Sequence, residues 1–315
     1  MRKALVVGID DYPTCPLAGC VNDAIKLTSL LERHSDGSPN FSVRKLLSTS
    51  TNITRGILKG EIENLFSGDP ETALFYFSGH GYLNSFGGYV VTPDHTRYDE
   101  GVAMDQILGA ANRSSAKNRI IILDCCHAGS MGSPSITEGR FSELADGVTV
   151  LVACRPDEGA MESGGQGVFT ALLLDALRGG SADLFGHVSP GSVYSYVDRA
   201  LGPWEQRPVF KTNVSRFVSL RNVSPPIDVT VLRKICTHFP TAYEEHHLDP
   251  SYEYTEPNHN PDKVKIFKEV QKMERVGLVV PVGEEHMYYA AMNSKSCKLT
   301  AMGVQYWKLV NSGNI

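Results

Sequence analysis

Five strand-length runs rich in β-branched and aromatic residues punctuate the first two hundred positions: Lys3–Ile9, Val43–Leu47, Ala73–Phe77, Arg119–Leu123 and Val148–Ala153. Between them lie stretches with helical periodicity. Ala24, Ile25, Leu27, Leu30 and Leu31 mark one face of a helix over Val21–Glu32, and Ile53–Phe66 and Met104–Ala111 read the same way. Val168–Leu177 is almost wholly apolar and is expected as a buried helix. Strand–helix alternation with near-continuous apolar strands predicts an α/β fold, a mostly parallel sheet covered by helices on both faces. In such sheets the working residues sit beyond the carboxyl ends of the strands.

Two reactive segments fall at such ends. Ser78-Gly79-His80-Gly81 follows the third run, and Asp124-Cys125-Cys126-His127-Ala128-Gly129 follows the fourth. Flanking glycines permit close backbone approach around His80. Cys126 precedes small residues, so its thiol and its N–H are accessible. A thiol attacking an amide at neutral pH needs a base beside it, and a histidine on the neighbouring strand supplies one. Gly81, with no side chain, offers a second N–H to a developing oxyanion alongside that of Cys126. The residues alone also allow a buried inert cysteine beside a satisfied histidine, since free cysteine is among the most buried residue types.

Composition narrows the class. A formal net charge of -5 gives no general electrostatic reason to bind nucleic acid or an anionic membrane. No apolar run approaches the roughly 20 residues of a membrane span. The run Ala4–Ile9 meets Asp10 and Asp11 too soon for a signal-peptide core. Seven cysteines, an odd count at irregular spacing, argue for reduced thiols and a cytoplasmic protein. No CxxC pair is present, and Cys236, His238, His246 and His247, lacking a matched second half, read as surface chemistry rather than a metal site.

SGHG after one apolar strand and D-x-C-H-x-G after the next resemble the caspase superfamily, most closely its metacaspase branch. Gly8-Ile9-Asp10-Asp11-Tyr12, Leu17-Ala18-Gly19-Cys20-Val21-Asn22-Asp23-Ala24, Gly167-Val168-Phe169-Thr170 and Gln206-Arg207-Pro208-Val209-Phe210 extend the likeness over about Met1 to Leu220. The resemblance implies a cysteine endopeptidase with His80 as base and Cys126 as nucleophile, acting in regulated proteolysis or defence-linked cell death. Cys125 and Ala128 stand where metacaspases usually carry serine. The resemblance further implies an acidic specificity pocket from Asp23 and Asp124, lined by Cys20 and Ser78, for an Arg or Lys of a protein substrate. A helix-starting acid favoured by the macrodipole is a second account of Asp23 alone. The dyad needs no cofactor. Some metacaspases require calcium, and no ligand set here answers to it. Arg140, in the polar Gly/Ser-rich stretch 130–147, is a candidate self-processing site.

The alternation ends near Ser224-Pro225-Pro226, giving expected domains of 1–222 and 226–315. The second shows helices around Val229–His238, Asp262–Val276 and Ala301–Val310, with Gly277-Leu278-Val279-Val280 and a short apolar segment Met287–Met292 between. This order and Leu299-Thr300-Ala301-Met302-Gly303 resemble a winged-helix module. Lys265, Lys268, Lys272 and Arg275 share one helical face, opposite Ile266, Phe267, Val270 and Met273. The segment as a whole is not basic, so docking to a protein partner or to the protease domain is expected ahead of DNA binding. The competing reading of the whole chain is a catalytically silent caspase-like adaptor or DNA-binding regulator acting through this region.

Overall fold

The computed structural model describes residues 1–97, 99–125, 143–154, 162–163, 165–202 and 206–315. Cys126 and Arg140 lie outside the described residues. The chain divides into two compact units, Met1–Ser224 and Pro225–Ile315.

Five parallel strands build the first unit: β1 (Arg2–Gly8), β2 (Ser42–Leu47), β3 (Thr72–Ser78), β7 (Asn118–Asp124) and β8 (Val148–Val152). Their order is β8-β7-β3-β1-β2, with Val209–Asn213 added antiparallel outside β8. β3 is buried at every position and β7 at all but its first, as central parallel strands require. Alternation divides their side chains between two cores. Phe75, Phe77, Ile121 and Leu123 face α2 (Arg55–Phe66) and α3 (Met104–Arg113). Tyr76, Ile120 and Ile122 face α1 (Cys20–Leu31), α4 (Val168–Asp175) and α5 (Pro190–Leu201). Full burial of each large aromatic contributes about 1.5–3 kcal/mol.

Between β3 and β7 lies a second, antiparallel sheet, which the five runs read from the sequence do not include. β4 (Gly81–Asn84), β5 (Gly87–Thr96) and β6 (Asp99–Ala103) pair in chain order. Gly101 has φ 152°, and a Cβ there would lie 2.2 Å from the Val90 carbonyl oxygen, so a side chain is excluded on both counts. Nor does the pattern announce α5, where Ser189 and Ser192 close a reciprocal capping box at the start, with Pro190 in the first turn.

In the second unit, His246–His247, Ser296–Leu299 and Val279–Val282 form an antiparallel sheet in that order. The first expected helix splits into Val229–Leu232 and Ile235–His238, and Met287–Met292 is a short helix. Pro261–Arg275 is capped by Asn260, whose side chain accepts from the N–H groups of Asp262 and Lys263. It buries Val264, Phe267, Val270 and Met273, while Lys265, Lys268, Lys272 and Arg275 are exposed. The reading of Cys236, His238, His246 and His247 as surface chemistry fits exposed His247 but needs correction for His238 and His246. His238 is buried with Nε2 2.9 Å from Glu269, and His246 bonds the His238 carbonyl and the Tyr252 hydroxyl. Among the described residues no helix is long and apolar enough to cross a membrane.

Candidate active site

β3 and β7 run side by side in a register that pairs Ser78 with Asp124. Both candidate segments therefore emerge at one point on the carboxyl edge of the sheet. Alternation sends Ser78 and Asp124 to the α1/α4 face, the side that Tyr76 and Ile122 share. Cys125 turns to the opposite face and is buried among core side chains, and its carbonyl accepts from the Cys154 thiol at 3.3 Å.

His80 is held almost entirely through main chain. Its N–H donates to the Tyr12 hydroxyl at 3.0 Å, and its carbonyl accepts from the Val91 N–H at 2.9 Å. The Tyr12 hydroxyl in turn donates to the Val91 carbonyl at 3.2 Å, and the Tyr12 and His80 rings lie 4.5 Å apart, tilted. Burial pushes the Tyr12 phenol well above its usual value, so this donor keeps its proton. Gly79 is required where it is, because a Cβ there would sit 2.5 Å from the Tyr12 hydroxyl. The imidazole Nε2 lies 2.7 Å from the Cys15 carbonyl. A carbonyl only accepts, so Nε2 carries the hydrogen and Nδ1 of the neutral ring keeps the lone pair.

On the α1/α4 face two carboxylates are almost wholly enclosed, Asp23 at 1% exposure and Asp124 at 5%. Gly167 brings them together. Its N–H donates to Asp23 Oδ2 at 2.9 Å, and a Cβ there would lie 2.5 Å from Asp124 Oδ2 and 3.1 Å from Asp23 Oδ2. Asp124 Oδ2 accepts from the Thr170 hydroxyl at 2.6 Å. Thr170 has one hydrogen and gives it to Asp124, so the Tyr76 hydroxyl, 2.6 Å away, donates to Thr170. Burial, then the charges of Asp124 and Asp23, raise the Tyr76 phenol well above its usual value, which keeps that chain of donors intact. Two like charges side by side repel. Here a peptide N–H, a hydroxyl and the positive end of α4 offset the repulsion in part. Cys20 and Ser78 are buried beside the two carboxylates, at the start of α1 and the end of β3.

The structure thus brings His80, Gly81, Ser78, Asp124, Asp23 and Cys20 to one edge of the sheet. Sequence reasoning missed Asp10, Tyr12 and the Cys15 carbonyl. The N-cap of α1 is Gly19, which has no side chain, and the Asp10 carboxylate replaces it by accepting from the N–H groups of Cys20 at 2.8 Å and Val21 at 3.3 Å. The Asp10 carbonyl accepts from Tyr12 and Leu17, closing the loop that carries Cys15. An acid shortly ahead of a glycine-started helix was the available signal for Asp10. None marks a main-chain acceptor.

A mostly parallel six-stranded sheet, with a histidine beyond a central strand and enclosed acids beside it, defines an α/β protein of caspase-like architecture. The family model described as Caspase domain matches residues 1–218, and the chain belongs to that family, whose members are cysteine peptidases. Two solved structures share the fold. A protein from Geobacter sulfurreducens aligns with a TM-score of 0.52 at 16% identity, over 71% of this chain and 100% of its own. Caspase-1 from Spodoptera frugiperda aligns with a TM-score of 0.52 at 12% identity, over 71% of this chain and 91% of its own. No curated protein matches the chain.

Proposed function

We propose that the chain is a metacaspase-type cysteine endopeptidase that cleaves after Arg or Lys. The observation that carries this reading is the junction at the ends of β3 and β7, where the Ser78–Asp124 register pair puts the acid pair beside the backbone that leads to His80. His80, with Nε2 directed to the Cys15 carbonyl, takes the Cys126 thiol proton on Nδ1. The thiolate sulfur bonds to the scissile carbonyl carbon, and the N–H groups of Cys126 and Gly81 receive the oxyanion. The C–N bond breaks as His80 returns its proton to the leaving amine. Water then attacks the thioester with His80 as base, releasing the carboxylic acid and the thiolate. Burial of Cys125 in the core supports Cys126 as the nucleophile.

Asp23 and Asp124 supply the cation-binding end of the specificity pocket, with Cys20 and Ser78 in its wall. An arginine or lysine side chain there gains charge-assisted hydrogen bonds from carboxylates already oriented. Arg140 is the proposed self-processing site, and the biological setting is regulated proteolysis or defence-linked cell death. The C-terminal unit acts as a winged-helix-like regulatory module. Its order of two short helices, strand, helix Pro261–Arg275, strand, short helix Met287–Met292, strand and final helix supports this, and the exposed face of Lys265, Lys268, Lys272 and Arg275 is its contact surface for a protein partner. Ten basic against eleven acidic residues over 226–315 favour protein over DNA.

The test is a peptide-library cleavage assay on the purified full chain, with and without calcium. Cleavage confined to bonds after Arg and Lys, absent in Cys126→Ala, is expected. A preference for Asp, or retained activity in Cys126→Ala, overturns the reading.

A further inference from the structure

A cavity of about 390 Å³ adjoins His80 on the face of the sheet away from the acid pair, and the peptidase reading does not use it. His80 and Gly81 form one wall, Tyr12, Tyr82 and Val91 supply aromatic and aliphatic surface, and His95, Arg97 and Glu100 border it from the β5–β6 hairpin. Its volume is at the small end of the range for ligand pockets, about 300–1,000 Å³. Tyr12 and Val91 belong to the core on the α2/α3 face, whereas Asp23 and Asp124 adjoin α1 and α4 on the other. Both hydrogen-bonding capacities of the Tyr12 hydroxyl are engaged, by the His80 N–H and the Val91 carbonyl, so it offers its ring rather than a polar group. Tyr82 is 46% exposed, an aromatic side chain standing partly in water at the mouth of the cavity.

Chemistry fixes which part of a substrate must pass here. When the peptide bond breaks, the proton on His80 goes to the leaving nitrogen, which belongs to the residue after the cleaved bond. That residue therefore lies within hydrogen-bond reach of His80, and the chain beyond it departs along the histidine's flank. The acid pair takes the side chain before the bond. The cavity that adjoins the histidine on the opposite face remains for the side chains after it.

We propose that this cavity, resting on the peptidase reading above, is the subsite for the one or two residues after the cleaved bond, and that it selects large apolar side chains. Covering Tyr82 and Val91 with a leucine or phenylalanine removes apolar area from water on both partners. A glycine leaves that area wet.

The experiment uses the full chain and two kinds of substrate. One is a peptidyl-arginine aminomethylcoumarin, with no residue after the cleaved bond. The other is a set of internally quenched peptides, constant through the arginine, with the next two positions varied among Gly, Ser, Asp, Lys, Leu and Phe. Leu or Phe is expected to exceed Gly by about tenfold in kcat/KM. Tyr82→Ala removes most of that ratio, and Tyr82→Trp moves the optimum to smaller side chains. The ratio is read within each protein, so a general loss of activity cancels. Coumarin turnover with a flat profile, or a ratio unchanged in both Tyr82 variants, overturns this subsite alone. Failure to hydrolyse the coumarin or any of the peptides overturns the peptidase reading and the subsite with it.

Discussion

The two sides of the sheet edge are built on opposite plans. Toward α1 and α4, Asp23 and Asp124 are enclosed and gripped by a peptide N–H and a threonine hydroxyl. Toward β4 and β5, His80 is held by its own backbone, with its ring beside open space. A buried charge is costly to reorient, so a site that reads a cation is rigid before its ligand arrives. A site that releases many different chains benefits from apolar surface and room. Under the proposed function, selectivity before the bond is electrostatic and strict, and selectivity after it is hydrophobic and graded.

The severest test of this contrast removes the chemistry between the two sides. His80→Ala and Cys126→Ala are each expected to lower kcat by at least about 10²–10⁴-fold on every substrate, whereas Cys125→Ala keeps most activity; steady-state kinetics on a peptidyl-arginine substrate checks all three. Next come the acids. Asp23→Asn and Asp124→Asn are each expected to lower kcat/KM on arginine substrates by about 10- to 150-fold, the loss of a charge-assisted contact of about 1.5–3 kcal/mol. Equal loss on a substrate with leucine before the bond would break the contrast, since the acids would then serve the fold alone. Tyr12→Phe takes away the acceptor of the His80 N–H and the donor to Val91. A stability loss of about 1–3 kcal/mol in urea unfolding is expected, with kcat reduced and the Arg-over-Leu preference intact. Smallest is Asp10→Ala, which uncaps α1 and loosens the Cys15 loop together. It is expected to cost about 0.5–2 kcal/mol of stability, seen as a lower urea midpoint, and to lower activity on both sides of the bond alike.

The acid side was legible in the sequence because it is written in side chains. Apolar alternation placed the ends of β3 and β7 together, and the motif around Asp23 and the motif around Asp124 named the carboxylates. Their convergence on Gly167 was not legible, since it depends on where α4 begins relative to α1. The histidine side was read less well. β4 has four residues, none of them buried, and the outer half of β5, Thr92-Pro93-Asp94-His95-Thr96, is polar and interrupted by proline, so period-two patterning fades there. Asn84-Ser85-Phe86-Gly87 ahead of Tyr89-Val90-Val91 was the hairpin signal that could have been used. Tyr12 reads from the sequence as one more residue of a loop, because its hydroxyl serves backbone atoms far away in the chain.

The partner of His80 Nε2 is a peptide oxygen, and every amino acid supplies one. Nothing in the bond constrains the side chain at position 15. The spacing is what is constrained: ten residues from the Asp10 anchor to the first turn of α1, fastened at both ends by that one aspartate. Substitutions along Pro13–Ala18 should drift with little effect on the imidazole, while the gain or loss of a single residue there would slide a different carbonyl, at a different angle, under the ring. In this stretch the chain stores the orientation of the His80 ring as a count of peptide units rather than as the identity of any one of them.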